Sequence, residues 1–392
     1  MRSPSAAISA AFVLCSSSAP AATWVVDPSG SGDATTIQGG IDLASPGDSV
    51  TVLPGTYFEG LRVATDDLTV IGLQGAAATV LDASEGGTLG GACVFTSLYD
   101  DVERSVWAGL TFTGAVSGYG SGALYALRLR GDVEIRDCIV RDNTIYGWAL
   151  VGSAGDLTLR NTLFADNTRS PDAFDRAAVD WQGGGDVDID SCRFERNSTG
   201  ANSTGGVIDA RSGDASIRNS VFLENWGGWT FVRGMNVALE GNLFVRNGGG
   251  LSCSLLRLEH NTFSGHSFRV DYFPVQEGSA IRANVFTGSS VGLPLPPGGG
   301  GIVVECNDSW GNTVNWSGHD PSGENGNFSA PPGYCDPEGG DFTVAANSPL
   351  LPENNSCGVL IGALGAGCGA VSIDPTTWAD IKSRYRTGTR DR

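Results

Sequence analysis

The sequence predicts an all-β solenoid, in which the chain coils repeatedly and stacks short strands coil upon coil. Three observations predict it: a short phrase recurs along the middle of the chain, glycine makes up 57 of the 392 residues, and charged residues make up only 17%. Many tight bends and few charged residues fit a chain of short strands. A phrase that recurs with a period of about 20 to 50 residues is typical of solenoids, because one coil is too thin to bury its own apolar face.

Residues 1–21 have the pattern of a secretory signal peptide. Arg2 supplies a positive start, residues 6–14 form a short apolar run, and Ala19-Pro-Ala21 carries the small residues of a cleavage site. We therefore expect bacterial-type Sec export to the extracellular space or the cell surface, with a mature chain that begins near Ala22. Beyond this leader, the sequence contains no apolar run of the ~20 residues needed to span a bilayer.

A short capping helix is predicted over residues 35–45. Thr35 and Gln38 fit a capping box. Ile37, Ile41 and Ala44 form one apolar stripe, and the Pro-Gly-Asp sequence at 46–48 ends the helix. Such a helix would cover the open end of the solenoid and its exposed strand edge.

Each copy of the recurring phrase predicts two short strands joined by a bend. In the first copy, Val133 and Ile135 share one strand face, and the polar pair Asp137-Cys138 breaks the strand. A second strand then carries one large apolar residue, and an Asn closes the copy. Clear copies occupy 133–143, 157–167, 187–197, 215–225 and 237–247, and weaker copies occupy 256–266 and 279–288.

Stacking of these copies predicts two internal columns. The recurring apolar position holds Val140, Phe164, Phe194, Phe222 and Phe244, and these side chains would stack at the strand spacing of ~4.8 Å. The closing Asn residues would satisfy one another and the bent backbone. The second positions of the first strands, Ile135, Leu159, Ile189, Ile217, Leu239, Leu258 and Ile281, are separated by 24, 30, 28, 22, 19 and 23 residues. These uneven steps predict loops of different length inserted at one corner.

The repeats, together with the phrase at residues 35–57 that runs from Thr-Thr-Ile-Gln to Pro-Gly-Thr-Tyr, resemble the right-handed parallel β-helix of the pectin-lyase-like superfamily. The resemblance covers roughly residues 24 to 370 and implies one β-helix domain over 22–370. Well-known members of this superfamily cleave or epimerise acidic polysaccharides. Their catalytic signatures do not transfer: the Gly-His-Gly set of polygalacturonases and the calcium-binding Asp set with a basic Arg of pectate lyases are both missing from the sequence.

The C-terminal part changes character. Residues 293–340 form a loop-rich excursion, and the later Ser-Pro, Cys-Gly and Ile-Gly-Ala phrases resemble terminal coils that close such solenoids. The cysteines there predict two disulfides, Cys306 with Cys335 and Cys357 with Cys368. Cys138 and Cys192 occupy one column two coils apart, too far for a disulfide, so we expect buried thiols. The tail, residues 371–392, is predicted to form a short helix with Trp378, Ile381 and Tyr385 on one face.

The charge balance limits the partners. A formal net charge of −19 argues against nucleic acid and anionic membranes, both of which need a basic surface. His260 stands at a bend position and is predicted to be a turn residue rather than a general base. The sequence contains no Cys-x-x-Cys motif and no Cys/His cluster, so it does not indicate a zinc site. The charge suits an extracellular protein kept in solution by repulsion, or one that binds cations.

One constellation is a candidate site. Val179 and Ile208 are expected to point inward, so Asp180 and Asp209 should point outward one coil apart, near Arg211, with Arg233 on the next coil. Such a carboxylate pair would serve as acid and base or hold calcium; the alternative is a solvated polar face with Asp–Arg pairing. Aromatic residues near these strands predict a groove for sugar rings, against the alternative of core packing. They are Trp148, Trp181, Trp226 and Trp229, with Tyr119, Tyr125 and Tyr146 nearby.

Three functions fit the sequence. The first is a secreted or surface β-helix that binds glycans or partner proteins, such as a polysaccharide or a cell-surface component, without catalysis. The second is a diverged polysaccharide lyase, hydrolase or epimerase, and the third is a structural stalk or surface element. The missing catalytic signatures favour the first function over the second, and the variable loops argue against a plain stalk. The expectation is therefore a binding protein rather than an enzyme.

Overall fold

The structure is a computed structural model that describes residues 20–85, 91–97, 100–116, 125–145, 147–169, 178–197, 207–270, 277–296 and 301–369. Most of the predicted leader and the predicted tail helix lie outside these ranges. The described residues form a solenoid of three long parallel sheets, as predicted. Within them, no helix is long and apolar enough to cross a membrane.

In each sheet, neighbouring strands come from successive coils. The first sheet has twelve strands: Thr23–Val26, Ser49–Val52, Leu68–Gly72, Arg104–Ala108, Asp132–Arg136, Leu157–Arg160, Val187–Asp190, Ala215–Arg218, Asn236–Glu240, Leu255–Glu259, Ala280–Arg282 and Val303–Glu305. The second sheet has eleven: Gly55–Phe58, Thr79–Asp82, Thr111–Thr113, Ile139–Arg141, Leu163–Ala165, Arg193–Glu195, Val221–Leu223, Leu243–Val245, Thr262–Ser264, Val285–Thr287 and Asp308–Trp310. The third sheet has nine: Leu61–Arg62, Val94–Phe95, Tyr125–Arg130, Trp148–Ser153, Val179–Gln182, Ile208–Asp209, Trp226–Arg233, Gly248–Ser252 and Ser267–Val270.

Smaller elements flank these sheets. The short strands pair as Thr144–Ile145 with Thr168–Arg169 and as Val291–Pro294 with Val314–Ser317, and three more, Tyr334–Asp336, Asp341–Ala345 and Ala366–Cys368, form a separate sheet. The α-helix is Ile37–Leu43, and 3-10 turns occupy Ala83–Glu85 and Pro352–Asn354. The weaker copies of the repeat are thus complete coils, and the excursion predicted at 293–340 still contributes strands to the solenoid.

Two sharp bends separate the strands of each coil. At the first bend, between the first and second sheets, Asp137, Asn161 and Asn219 have φ of 55, 44 and 50°. These are residue types that tolerate the left-handed conformation. The bend lies at the polar pair after the first strand, as the sequence predicts. His260 occupies the same column with φ 57° and places Nδ1 2.7 Å from the carbonyl oxygen of Leu360. His260 is therefore a turn residue, as predicted.

A column of stacked rings fills the interior. The ring centres of Phe194, Phe222 and Phe244 are 4.8 and 4.9 Å apart with nearly parallel planes, and the column continues to Phe263 and Phe286. All five side chains are buried. The stacking distance confirms the predicted strand spacing, and the column extends through both weaker copies of the repeat.

Two amide ladders support the bends. In the ladder at the second bend, the side-chain nitrogen of Asn197 donates to Oδ1 of Asn225, and that of Asn225 donates to Oδ1 of Asn247. A second ladder stands at the first bend, where Asn242, Asn261, Asn284, Asn307 and Asn327 are joined in the same way. The first ladder confirms the prediction. The second ladder begins at Asn242. In the four preceding coils the same position is occupied by Cys138, Thr162, Cys192 and Ser220.

The short helix covers the edge of the first sheet, as predicted. Its cap differs from the prediction, because Thr36 rather than Thr35 accepts the hydrogen bond from the Gly39 amide. The carboxylate of Glu59 accepts the amide hydrogens of Ile37 and Gln38 at 2.7 and 3.0 Å. Gln38 therefore does not complete a capping box.

The C-terminal segment folds back along the outer face of the second sheet. Phe342 packs against Leu243 and Val245, and a second cluster joins Val344, Leu350 and Ile361 to Ala283 and Val285. The sequence analysis expected this segment to close the end of the solenoid, and the structure shows that it also covers the outer face of the second sheet.

In the described part of the chain, two disulfides form, Cys306–Cys357 and Cys335–Cys368. The four cysteines were predicted correctly, but both predicted pairings are wrong, because the folded-back segment brings distant cysteines together. Cys93, Cys138, Cys192 and Cys253 are buried free thiols, and burial raises the pKa of each to about 12. Such thiols are unreactive at neutral pH.

Candidate functional site

The candidate residues lie on the outer face of the third sheet. Strand pairing places Arg128, Val151, Asp180, Asp209 and Arg233 in one column, one residue from each successive coil. Val179 and Ile208, the residues before the two aspartates, belong to the interior core. The predicted register of Asp180 beside Asp209 is therefore present.

Asp180 is fully buried, although it lies on the outer side of its strand. Its Oδ1 accepts from Nε of Arg211 at 2.8 Å, and its Oδ2 accepts from Nη2 of Arg211 at 2.9 Å. Oδ2 also accepts from Nε2 of Gln182 at 2.8 Å. The expected exposed carboxylate is thus wrong for Asp180, because the bidentate guanidinium and the amide cover it.

Asp209 is nearly buried and less tightly held. Its Oδ1 accepts the backbone amide hydrogen of Arg211 at 3.0 Å, and its Oδ2 lies 3.9 Å from Nη1 of Arg233. Burial and then the negative charge of Asp180 raise the pKa of Asp209 above its ordinary value. Arg211 itself adopts a left-handed backbone with φ 39°. Its backbone thereby holds one aspartate while its side chain holds the other.

A pocket opens on the same face, one to two coils toward the N-terminus. It has a volume of about 200 Å³. Its wall consists of Tyr125, Arg128, Leu129, Trp148, Val151, Gly152, Ser153 and Gln182. The rings of Tyr125 and Trp148 are stacked with centres 6.5 Å apart and an interplanar angle of 23°. Gln182 is the contact between this pocket and the Asp180–Arg211 ion pair.

Arg128 gives the pocket a cation. Its guanidinium carbon lies 5.1 Å from the centre of the Tyr125 ring and 5.4 Å from that of Phe95, and Nη1 donates to the Tyr125 hydroxyl at 2.7 Å. Among the residues that the structure describes, no carboxylate forms an ion pair with Arg128. The aromatic rings therefore hold the guanidinium in place by cation–π contact and leave its charge available.

The predicted groove aromatics divide into three groups. Trp148 lines the pocket, and Tyr125 stands beside it. Trp181 is wrong as a groove residue: it is fully buried and donates its indole N–H to the carbonyl oxygen of Gly155 at 2.7 Å. Gly152, in the preceding coil, makes this possible, since a Cβ there would stand 1.9 Å from the Trp181 ring. The side chains of Trp226 and Trp229, and residues Tyr119 and Tyr146, lie outside what is described.

The aspartate pair does not fit a calcium ion. Calcium takes six to eight oxygen ligands. Both oxygens of Asp180 already accept from Arg211, and that cation stands where a metal ion would have to approach. Within the described ranges, no group of three or more His, Cys, Asp or Glu residues could hold a metal ion.

Sequence reasoning missed Arg128, Ser153 and Gln182 as site residues. The outward position of Arg128 follows from strand alternation in Tyr125–Arg130. Its nearness to Phe95 and Gln182 follows only from the coil register, since Phe95 pairs with Arg128 and Gln182 pairs with Ser153 in the neighbouring strands. Alignment of the strands that precede the clear repeats, extended to the two earlier coils, would have found them.

A match to a family model supports the architecture, and two solved structures are distantly similar. Residues 172–315 match the family model described as a right-handed beta helix region. A search of curated proteins gives no match. A solved structure of pectate lyase Pel9A is 14% identical with a TM-score of 0.45, and the match covers 88% of this chain and 96% of that one.

A second similar structure is a mannuronic acid specific polysaccharide family 6 lyase from human gut microbiota. It is also 14% identical, with a TM-score of 0.35, and the match covers 76% of this chain and 82% of that one. Neither similarity is close enough to carry function. The parallel pairing of the three long sheets and the family match together establish that this chain folds as a right-handed parallel β-helix.

Proposed function

We propose that this chain is an extracellular β-helix protein that binds an acidic polysaccharide without cleaving it, and that its binding site is the pocket between Tyr125 and Gln182. The observation that carries the proposal is the combination of stacked aromatic rings with the Arg128 cation, for which no carboxylate partner is found in the described part of the chain. Aromatic rings accept the apolar face of a sugar, and a guanidinium binds a carboxylate.

The size of the pocket suits one sugar unit of a longer chain. Its volume of about 200 Å³ is below the ≈ 300–1,000 Å³ of pockets that enclose drug-sized ligands. The rest of the polysaccharide would lie along the outer face of the third sheet. The two disulfides fit a protein that works outside the cell, where such bonds persist.

Binding is favoured over cleavage because of how the aspartates are held. A general acid or base must reach the substrate within hydrogen-bond distance. Asp180 is fully buried and its oxygens are occupied by Arg211 and Gln182. Asp209 is the residue that keeps a diverged hydrolase or lyase as the second candidate, since burial and the charge of Asp180 raise its pKa, the direction that a general acid needs.

The test is calorimetric titration of the full chain with a galacturonic acid hexasaccharide and, separately, with cellohexaose as the neutral hexasaccharide. We expect binding of the acidic ligand that weakens at least tenfold in Arg128→Gln. Arg257→Gln is the matched control, because Arg257 is exposed on the first sheet and the substitution changes net charge equally. Equal binding of both ligands, or unchanged affinity in Arg128→Gln, would refute an acidic ligand at this pocket.

The same samples decide between binding and cleavage. Incubation with the acidic hexasaccharide, with and without EDTA, is followed for unsaturated and reducing ends. We expect no product in either condition. Product that disappears in Asp209→Asn would establish the enzyme alternative, and product or binding that EDTA abolishes would reveal a calcium requirement.

A further inference from the structure

Gln182 stands between a buried ion pair and the pocket. Its side-chain nitrogen donates to Asp180, and the same side chain forms part of the pocket wall. It follows Asp180 by two residues in the strand Val179–Gln182, so both side chains lie on the outer side of the third sheet. A change at Asp180 therefore reaches the pocket through Gln182.

The ion pair fixes which end of the amide faces Asp180. An ionised carboxylate only accepts hydrogen bonds, so Gln182 must turn its NH₂ group toward Asp180. The guanidinium of Arg211 donates to both carboxylate oxygens of Asp180, at 2.8 and 2.9 Å, so the carboxylate acts as the acceptor in this ion pair. The carbonyl Oε1 of Gln182 is on the opposite side of the amide carbon and is therefore turned away from Asp180.

The carbonyl oxygen Oε1 is the remaining hydrogen-bond acceptor of the Gln182 side chain. Among the described residues, none donates a hydrogen bond to Oε1 of Gln182. The other wall residues with polar side-chain groups are Tyr125, Arg128, Trp148 and Ser153, and among them Arg128 donates to the Tyr125 hydroxyl. The pocket thus offers a cationic donor, a hydroxyl and a fixed amide acceptor.

We infer that Asp180 is a positioning residue for ligand binding: it orients Gln182 so that Oε1 accepts a hydrogen bond from a hydroxyl group of the bound sugar. This inference rests on the function proposed above. It adds a specificity rule, since the ligand needs a carboxylate for Arg128 and a free hydroxyl for Gln182. A sugar methylated at that hydroxyl would cover Oε1 without donating a hydrogen bond to it and would bind about tenfold more weakly.

Orientation is measurable without a ligand. In protein labelled with nitrogen-15 at glutamine, side-chain amide signals come from Gln38, Gln74, Gln182 and Gln276, and Gln182→Met assigns the signal of interest. We expect slow hydrogen exchange of the Gln182 NH₂ group in the wild type and an altered chemical shift and faster exchange in Asp180→Asn. Asp209→Asn is the control, because no hydrogen bond joins Asp209 to Gln182, and it should leave the signal unchanged. A Gln182 signal that is indifferent to Asp180→Asn overturns the inference.

Affinity then tests the specificity rule by a double-mutant cycle. Titrations use the galacturonic acid hexasaccharide with the wild type, Asp180→Asn, Gln182→Ala and the double variant. Each single variant should lose about tenfold in affinity. The double variant should lose no more than Gln182→Ala alone, because Asp180 acts only through Gln182. Losses that multiply to about a hundredfold would overturn the inference.

The two proposals fail in different ways. If the wild type does not bind the acidic hexasaccharide, the proposed function fails, whereas the amide signal still reports whether Asp180 orients Gln182. If the wild type binds and Gln182→Ala binds equally well, the function stands and the inference fails. Thermal unfolding of each variant identifies any that has lost its fold, and Gln182→Ala leaves the Asp180–Arg211 pair intact, so it provides the decisive comparison when Asp180→Asn unfolds.

Discussion

Replacement of Phe222 by alanine tests the internal ring column most directly. Phe222 is fully buried and has a stacked ring on each side, Phe194 at 4.8 Å and Phe244 at 4.9 Å. Phe231 adds an edge contact with ring centres 5.4 Å apart. The substitution therefore leaves a cavity whose walls are held apart by hydrogen-bonded coils above and below.

The expected loss in the free energy of unfolding is about 3–5 kcal/mol, the range for Phe→Ala at sites that cannot collapse. This is a large part of the ~5–15 kcal/mol that stabilises a typical domain. The neighbouring coils cannot close the gap, because the strands Arg193–Glu195, Val221–Leu223 and Leu243–Val245 are joined in continuous parallel register. We therefore place the loss toward the upper half of the range.

Urea titration followed by both circular dichroism and tryptophan fluorescence measures the effect. Coincident transitions for the two probes justify a two-state free energy. Phe58→Ala is the control for loss of a ring, since Phe58 is 54% exposed, and it should change stability by at most ~0.5 kcal/mol. A loss below ~1 kcal/mol for Phe222→Ala would contradict the assignment of a tightly stacked column.

Three further predictions concern the asparagine ladder, the buried His266 and one disulfide. Asn225→Ala should cost at least ~2 kcal/mol in urea titration, since it removes the acceptor of the Asn197 side chain and the donor to Phe194, both buried. Burial lowers the pKa of His266 to about 4 in the folded chain. As pH falls below 6.5, this imidazole therefore binds a proton in the unfolded chain before it does so in the folded chain, which favours unfolding. Stability should drop by up to ~3 kcal/mol between pH 6.5 and 4, and His266→Asn should remove that part of the slope; equal slopes would contradict it. Cys357→Ser removes the Cys306–Cys357 disulfide and should lower the free energy of unfolding by ~2–4 kcal/mol. Backbone hydrogen exchange should become faster over residues 344–361 but not over residues 157–160. Equally faster exchange in both ranges would contradict a local effect of this disulfide.

The coil could be predicted from the sequence because its signals are local. The Val133–Ile135 alternation identifies the inward face, and Asp137 or Asn161 marks the bend, since few other residues accept a left-handed backbone. The regular return of Phe at one position then aligns the coils. These signals need no knowledge of long-range contacts.

The second bend of each coil was harder to predict. Arg196, Glu224 and Arg246 occupy its left-handed position with φ of 50, 55 and 49°, although their residue types do not favour it. Ion pairs between adjacent coils, such as Arg246 with Glu224 at 2.8 Å, accompany these bends. Stacking of the neighbouring coils imposes the conformation, and propensity alone does not reveal it.

The disulfide pairing failed for a different reason. The predicted pairs joined consecutive cysteines of the C-terminal part, whereas the observed pairs interleave along the chain, with separations of 51 and 33 residues. Cys357 reaches Cys306 because the segment after residue 330 returns along the second sheet. The path of this segment depends on the contact of Phe342 with Leu243. No local sequence pattern predicts this long-range contact.

The candidate site shows where alternation along a strand stops being sufficient. Alternation correctly placed Asp180 and Asp209 on the outer side of the third sheet, but it says nothing of what covers them. Arg211, held by its own left-handed backbone, lies over Asp180 and converts an expected acid–base pair into an ion pair. A buried ion pair is weak evidence for added stability, because desolvation offsets the attraction. Its consequence here is geometric: among the described residues, the carboxylate has one hydrogen-bond partner besides Arg211, and that partner, Gln182, belongs to the pocket wall. Asp180 and Arg211, which the sequence suggested for chemistry, are therefore better understood as supports for the residues that we propose contact a ligand.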